Sequence, residues 1–416
     1  MNFKLALAAA AAVVGLAGTA QAADLGKKAP AAANYVKVCD AYGEGFFYIP
    51  GSETCLKIGG YVWAQYGAYK ESAAYGLGYG TRRGENAIST GTRWNIHFDA
   101  RTNTEMGLLR SYIEIQQTIG SQPWANGFTG TSQVSLEKAF IQFAGLTAGR
   151  ATSMFDFYTG DHLSSIFETA HSDSIVNLLA YTFSFGNGIS ATASIEDPTT
   201  GNGAGRRWSV DSNPLSPTFN SFGTSPYGAV KLPDLVGNVN IAQAWGSAQI
   251  MGVLHEDRSV FPAPAQASKM GYAIGAGVKV NLPMLGASDT LAVQAAYSKG
   301  AISYVSPDWY AGSDFFVDAF GNVQQTRAWS VAAGLTHGWT KTVSTSLTAS
   351  YASYDEPTVG GVDYKQFDIG GNVTWTPVSG LSIIGEVEYK DVDFSAASAL
   401  ADRNAVVGFL RIRRDF

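Results

Sequence analysis

The chain has 416 residues, 46% hydrophobic and 12% aromatic, with 47 glycines and a formal net charge of −6. That hydrophobic and aromatic content excludes disorder, and an acidic chain without a basic run has no electrostatic footprint for nucleic acid. No stretch after Ala22 approaches 18 consecutive apolar residues, so no transmembrane helix is expected.

The first residues read as a targeting segment. Lys4 gives a positive start, Leu5 to Ala17 is apolar, and Ala20-Gln21-Ala22 is a small-x-small cleavage site. Residues 1–22 are therefore expected to be a signal peptide cut after Ala22, since the apolar run is too short to span about 30 Å of hydrocarbon. Residues 23–54 form an amino-terminal segment. The chain's two cysteines, Cys39 and Cys55, bound its second half. In an exported protein they are expected to pair, a structural bond worth about 3 kcal/mol in the chain-entropy model for so short a loop.

From residue 55 to 416 the dominant signal is alternation with period two. In the stretch 93–101, Trp94, Ile96, Phe98 and Ala100 share one face, and Arg93, Asn95, His97, Asp99 and Arg101 share the other. Successive strand side chains point to opposite faces, so this strand is oily on one side and charged on the other. After a turn predicted at Thr102–Thr104, Leu109, Ile113 and Ile115 oppose Arg110, Tyr112, Glu114 and Gln116. Further strands are expected near 56–66, 134–143, 179–185, 189–196, 271–281, 291–297, 327–337 and 343–351. Later, Phe367, Ile369, Val373 and Trp375 oppose Gln366, Asp368, Asn372 and Thr374. Leu381, Ile383, Val387 and Tyr389 oppose Ser382, Glu386, Glu388 and Lys390, with Ile384 out of pattern.

A soluble sandwich shows the same alternation, but a chain this long would break into domains of roughly 100–150 residues. No linker or shift in composition marks such a boundary. The connections instead alternate between short (Thr102–Thr104, Pro377–Gly380) and long (Pro198–Pro226, Ser298–Gln325), as in an outer-membrane barrel. The expected fold is all-β, a transmembrane antiparallel barrel with about 16 strands of about 10 residues each. Trp63, Tyr66, Tyr181, Trp339, Tyr351, Trp375 and Tyr389 at strand ends are expected in interfacial girdles. The chain ends on Phe416, with Leu410 and Ile412 on its face, which resembles the terminal signature read by the barrel-assembly machinery. Arg414 departs from that signature.

Longer stretches resemble one family, the alphaproteobacterial porins. The block Tyr35 to Tyr61, containing both cysteines, is similar to that family's amino-terminal block. Gly145-Leu-Thr-Ala-Gly-Arg150 followed by Phe155-Asp-Phe-Tyr158 resembles its strand leading into an inward-folded third loop. Asp234 to Asn238 with Gln243 to Ser247 is a third match, and the last residues are a fourth. The resemblance implies a homotrimer among outer-membrane lipids and passive diffusion of small hydrophilic solutes.

Lys57, Arg93, Arg101, Arg110, Lys138 and Arg150 lie on the first five predicted strands, whereas no basic residue occurs between Arg150 and Arg206. That gap holds Asp156, Asp161, Glu168 and Asp173, in the segment resembling the third loop. A basic wall (Arg93, Arg101, Arg110, Lys138, Arg150) facing this acidic loop would set a transverse field that sorts charged solutes. The five histidines, His97, His162, His171, His255 and His337, match no catalytic or metal-binding spacing, so neither catalysis nor a metal or other cofactor is expected. Two rivals stay open: a substrate-selective, for example sugar-selective, channel with an aromatic track (Tyr61, Trp63, Tyr112), and a purely structural barrel with a plugged lumen.

Overall fold

The alternating segments pair into antiparallel strands. A computed structural model describes residues 37–72, 83, 86–121, 134–157, 160, 169–200, 205–207, 227–259, 268–306, 312–318, 320, 322–357, 363–396 and 401–416. The strands of the first half are β1 (Phe47–Tyr48), β2 (Cys55–Glu71), β3 (Ile88–Thr104), β4 (Gly107–Gly120), β5 (Ser135–Phe143), β6 (Leu146–Thr152), β7 (Ile175–Gly186), β8 (Ile189–Glu196), β9 (Asp234–Gln243) and β10 (Gly246–Arg258). They continue with β11 (Ser268–Asn281), β12 (Thr290–Lys299), the small hairpin β13 (Phe315–Val317) and β14 (Val323–Gln325), β15 (Arg327–Gly338), β16 (Val343–Asp355), β17 (Tyr364–Val378), β18 (Leu381–Phe394) and β19 (Arg403–Asp415).

Each strand of the main sheet pairs with the next, and the last pairs with the first. Ala405 opposite Glu71 through Asp415 opposite Tyr61 joins β19 to β2 and leaves no open edge. With the short β1 and the β13–β14 hairpin set aside, sixteen strands close the barrel. The Phe416 amide donates to the Gly60 carbonyl at 3.0 Å, and the Gly60 amide donates to the Phe416 carbonyl at 3.1 Å, so the carboxyl terminus completes the closure. At 17 residues each, β2 and β3 exceed the roughly 9–11 that cross a hydrocarbon layer, and so project past it.

The barrel is inverted relative to a soluble protein. Ile58, Val62, Ile113, Ile141, Val239, Ile250, Leu347, Val373 and Val387 face outward and are exposed, whereas Gln65, Asn95, Gln294, Gln366 and Glu386 are buried inside. Exposed aromatics lie towards both rims: Phe185, Trp245, Trp339 and Trp375 near the short turns, and Tyr272, Trp329, Phe367 and Tyr389 towards the long connections. Trp63 is not among them. It shares the lumenal parity of Gln65 and is buried there. The turn expected at Thr102–Thr104 falls at Glu105–Met106, because β3 stays paired to Thr104. Ile384, the residue out of pattern, occupies a buried lumenal position.

At the rim of the short turns, Cys39 and Cys55 form a disulfide, and β1 pairs with the start of β2. Residues 1–22, the expected signal peptide, lie outside the described residues.

Candidate functional site: the lumen and its inward loop

One interior wall is built from β2, β3, β4, β5 and β19. Strand parity puts Tyr61, Trp63, Arg93, Asp99, Arg101, Arg110 and Tyr112 inside. Arg93 donates to the Thr118 hydroxyl at 2.6 Å, and its guanidinium lies 5.3 Å from the Trp63 ring. Arg411 stacks on the same ring at 4.7 Å and donates to Gln65, and Arg413 lies 3.9 Å over Tyr61. Trp63 thus carries two guanidiniums. Cation–π contacts let like charges sit together at about 0.5–2 kcal/mol each. Arg411 and Arg413 were not among the expected wall residues. Leu410, Ile412 and Phe416 share the outward face of the last strand, which puts both arginines inward, so parity alone carried that signal.

The expected basic wall is only partly free. Asp99 accepts hydrogen bonds from Arg101 at 2.7 and 3.0 Å and from Arg110 at 2.9 and 3.0 Å. These three residues together carry a single net positive charge. Lys138 faces the lumen with Phe140 and Gln142, and lines a cavity of about 430 Å³ with Arg110, Tyr112 and Asp156. Arg150 does not belong to this wall. It shares parity with Leu146 and Ala148, and its guanidinium donates to the carbonyls of Leu136, at 3.0 Å, and Thr200. Ala144 and Gly145 form the positive-φ turn that leads into β6.

The third long connection folds into the barrel along its described parts, 153–157, 160 and 169–174. Its neck is closed by the Ser153 amide donating to the Ser174 carbonyl at 2.9 Å. Glu196 accepts from the Ser153 hydroxyl at 2.7 Å and the Met154 amide at 2.8 Å. Asn238 donates to the Met154 carbonyl at 2.6 Å, and Gln249 to the Asp156 carbonyl at 3.2 Å. Phe155 is fully buried with Val236, Met251, Val253, Ala273 and Tyr304, so this loop lies against β9, β10 and β11. Gly160 approaches Gly334 and Thr348, and the Ala170 amide donates to the Ser350 hydroxyl at 2.9 Å, so the loop reaches across to β15 and β16.

The expected acidic loop residues separate. Asp156 is not an uncompensated pore acid: Arg206 pairs with it at 2.9 Å, closing in space the basic-free gap seen in the sequence. Burial raises the Asp156 carboxyl above its ordinary range, and the Arg206 guanidinium opposes that shift. Asp173 is exposed, whereas Asp161 and Glu168 lie outside the described residues. Of the histidines, His255 is buried with Asp234 and Tyr227, and His337 pairs with Asp289. These are structural ion pairs and hydrogen bonds. Among the described residues no cluster of His, Cys, Asp and Glu has the arrangement of a metal site.

A closed barrel that is apolar outside and charged inside, with a loop folded into its lumen, defines an outer-membrane channel. The family model of the porin subfamily matches residues 26–409, and the chain belongs to that family, in its alphaproteobacterial branch. It is 29% identical to the porin Omp2b of Brucella suis biovar 1 and to that of Brucella melitensis biotype 1, over 431 aligned residues covering all of each chain. Two solved structures share the fold. The outer membrane channel DcaP of Acinetobacter baumannii superposes with a TM-score of 0.69 at 15% identity, covering 89% of this chain and 99% of its own. The trimer form of OmpT of Vibrio cholerae gives 0.52 at 10% identity, covering 88% and 100%. The protein resides in the outer membrane and is a channel for passive diffusion.

Proposed function

We propose that this protein is a general diffusion pore for small hydrophilic solutes and ions, biased by the charges of its lumen. The observation that carries the reading is the lumenal group Arg93, Arg411 and Arg413 on β3 and β19, layered on Trp63 and Tyr61. Arg101, Arg110 and Lys138 continue it, and Asp173 on the inward loop, with Asp161 and Glu168, is the opposing pole of the filter. No catalytic role is proposed. The test is a planar-bilayer recording of the purified protein. A general pore gives steps proportional to bulk conductivity, with no saturable block by sugars. Saturable block would favour the substrate-selective reading, with the lumenal aromatics Tyr61, Trp63 and Tyr112 as its track, and absence of steps would favour a plugged structural barrel.

The working unit is a homotrimer, supported by the trimeric form of OmpT. A native mass of one folded barrel in detergent would refute it. The organisation is a signal peptide over 1–22, a disulfide-bonded segment over 23–54 and a barrel over 55–416. Intact mass of protein taken from outer membranes should therefore fit Ala23–Phe416. Phe416 serves the barrel-assembly machinery as well as the closing strand, and its deletion should lower the amount reaching the membrane more than the conductance of molecules that fold.

A further inference from the structure

Arg206 lies far along the chain from the inward loop, yet it sits at the loop's neck and is 1% exposed. Its two terminal nitrogens make three bonds: to the Asp156 carboxylate at 2.9 Å, to the Ser172 hydroxyl at 2.9 Å and to the Ser303 carbonyl at 3.0 Å. The guanidinium lies 4.1 Å over the ring of Tyr304, whose hydroxyl donates to Asp234 on β9 at 2.6 Å. Its backbone is tied on both sides, with the amide donating to the Pro198 carbonyl at 2.7 Å and the carbonyl accepting from the Ser303 hydroxyl at 3.0 Å. Asp156 joins the two ends of the neck, because it also accepts from the Ser172 hydroxyl and from the Ser174 amide at 2.6 Å.

We propose that Arg206 is a positioning residue for the channel: it clamps the inward loop at its neck and so fixes the aperture. The inference rests on the channel reading. One side chain joins the described parts of three long connections, those between β6 and β7 (Asp156, Ser172), β8 and β9 (Arg206 itself) and β12 and β15 (Ser303), which run between different strands of the barrel. A planar fork with several donors and a stackable face does this, whereas a lysine ammonium provides neither the fork nor the face. Buried as it is, the Arg206 charge is spent on Asp156 and does not act on passing ions. Removing one partner leaves the other as an uncompensated buried charge, which disfavours the clamped arrangement. The rest of the loop would then move against β9 and β10 while the strands stay paired.

The experiment compares wild type, Arg206→Met, Arg206→Lys and the double variant Arg206→Met with Asp156→Asn, each purified as the folded oligomer. The readouts are open-channel current noise, the voltage at which channels close, and the reversal potential in a salt gradient. Arg206→Met should raise the noise several-fold and lower the closing voltage, with the reversal potential unchanged. Arg206→Lys should fall between it and wild type, and the double variant should be quieter than Arg206→Met because no buried charge is stranded. Wild-type noise in Arg206→Met overturns the inference. So does a shifted reversal potential with unchanged noise, which would make Arg206 a pore charge. Hydrogen exchange of the wild type tests the clamp without any variant. The amides of Ser153, Ser174 and Arg206 should open at one common rate, and independent rates overturn it. A silent wild type in the bilayer would instead count against the channel reading.

Discussion

The two sides of the barrel interior differ in what they face. Along β9, β10 and β11 the inward residues include Val236, Met251, Val253 and Ala273, because the inward loop covers them with Phe155 and partly buried Met154 and Phe157. Along β2, β3 and β19 the inward residues include Trp63, Gln65, Arg93, Asn95, Asp99, Arg411 and Arg413. Arg93 and Arg411 share the Trp63 ring, Arg411 donates to Gln65, Arg413 lies over Tyr61, Asn95 donates to Glu114, and Asp99 accepts from Arg101 and Arg110. The same barrel therefore has a dry inner wall and a charged one. A lumenal face needs polar side chains only where it meets water. Where it meets a loop, it becomes a conventional core.

The largest effect should come from breaking the dry wall. Phe155 is fully buried and meets the Tyr304 ring edge-on at 4.9 Å. Phe155→Ala removes a filled core position, a change that costs about 3–5 kcal/mol in well-packed interiors. The cost falls on the seating of the loop, since the strand ladders do not involve this side chain. Single-channel conductance should rise markedly, with the folded oligomer retained. Gly277→Val attacks the same seat from the wall, where an added Cβ would lie 2.3 Å from Phe157 Cδ1. Unchanged conductance in both variants would show that the loop does not limit the pore.

A smaller effect, in selectivity and not in size, is expected from the charged wall. Arg93→Gln with Arg411→Gln removes two positive charges from either side of Trp63 and should move the reversal potential towards cations. Asp173→Asn should move it towards anions. Both shifts should shrink between 0.1 M and 1 M salt, as the Debye length falls from about 10 Å to about 3 Å. The barrel should survive, because lumenal substitutions tune selectivity while charges on the lipid face destabilise. Shifts in the same direction for both, or none at low salt, would contradict opposed poles.

The same contrast explains what the sequence disclosed. Strands β2 to β4 and β15 to β19 are legible from alternation, because one face meets lipid and the other meets polar partners. Strands β9 and β10 are not, since Val236, Met251 and Val253 put apolar residues on the inner face while Gly237 and Gly252 lie on the outer one. Only their likeness to known porins marked that region. Of the site, Arg93, Arg101 and Arg110 followed from parity, as Arg411 and Arg413 would have, whereas Lys138 was expected only from its place among the basic residues of the first strands. Arg150 was misplaced because β6 is short and Thr147 and Ala151, not Arg150, hold its inward positions. The Asp156–Arg206 pair spans 50 residues of chain, and no local pattern carries such a contact.

The smallest effect should come from the rim of the short turns, where a disulfide holds a hairpin beside the charged wall. Cys39 and Cys55 are 16 residues apart, a closure worth about 3 kcal/mol in the chain-entropy model. That energy belongs to the hairpin. The Cys39 amide donates to the Phe46 carbonyl and the Tyr48 amide to the Lys37 carbonyl, both at 2.9 Å. Besides the disulfide and the short ladder of β1 on the first residues of β2, its side-chain ties to the barrel are few. Arg101 lies 5.0 Å over Phe46, Lys57 donates to the Glu44 carbonyl at 3.1 Å, and the hydroxyls of Thr54 and Thr102 are 2.9 Å apart. Arg101 makes two bonds to Asp99 within the barrel wall itself, a partner the hairpin does not supply. Cys39→Ser with Cys55→Ser should therefore leave the heat resistance of the oligomer and its conductance close to wild type, while cleavage within residues 43–53 by an added protease becomes faster. Reduction of the wild type should reproduce that cleavage. Loss of the oligomer on reduction would mean that the hairpin is part of the barrel's stability, and equal cleavage rates would mean that the bond holds nothing the hairpin does not hold by itself.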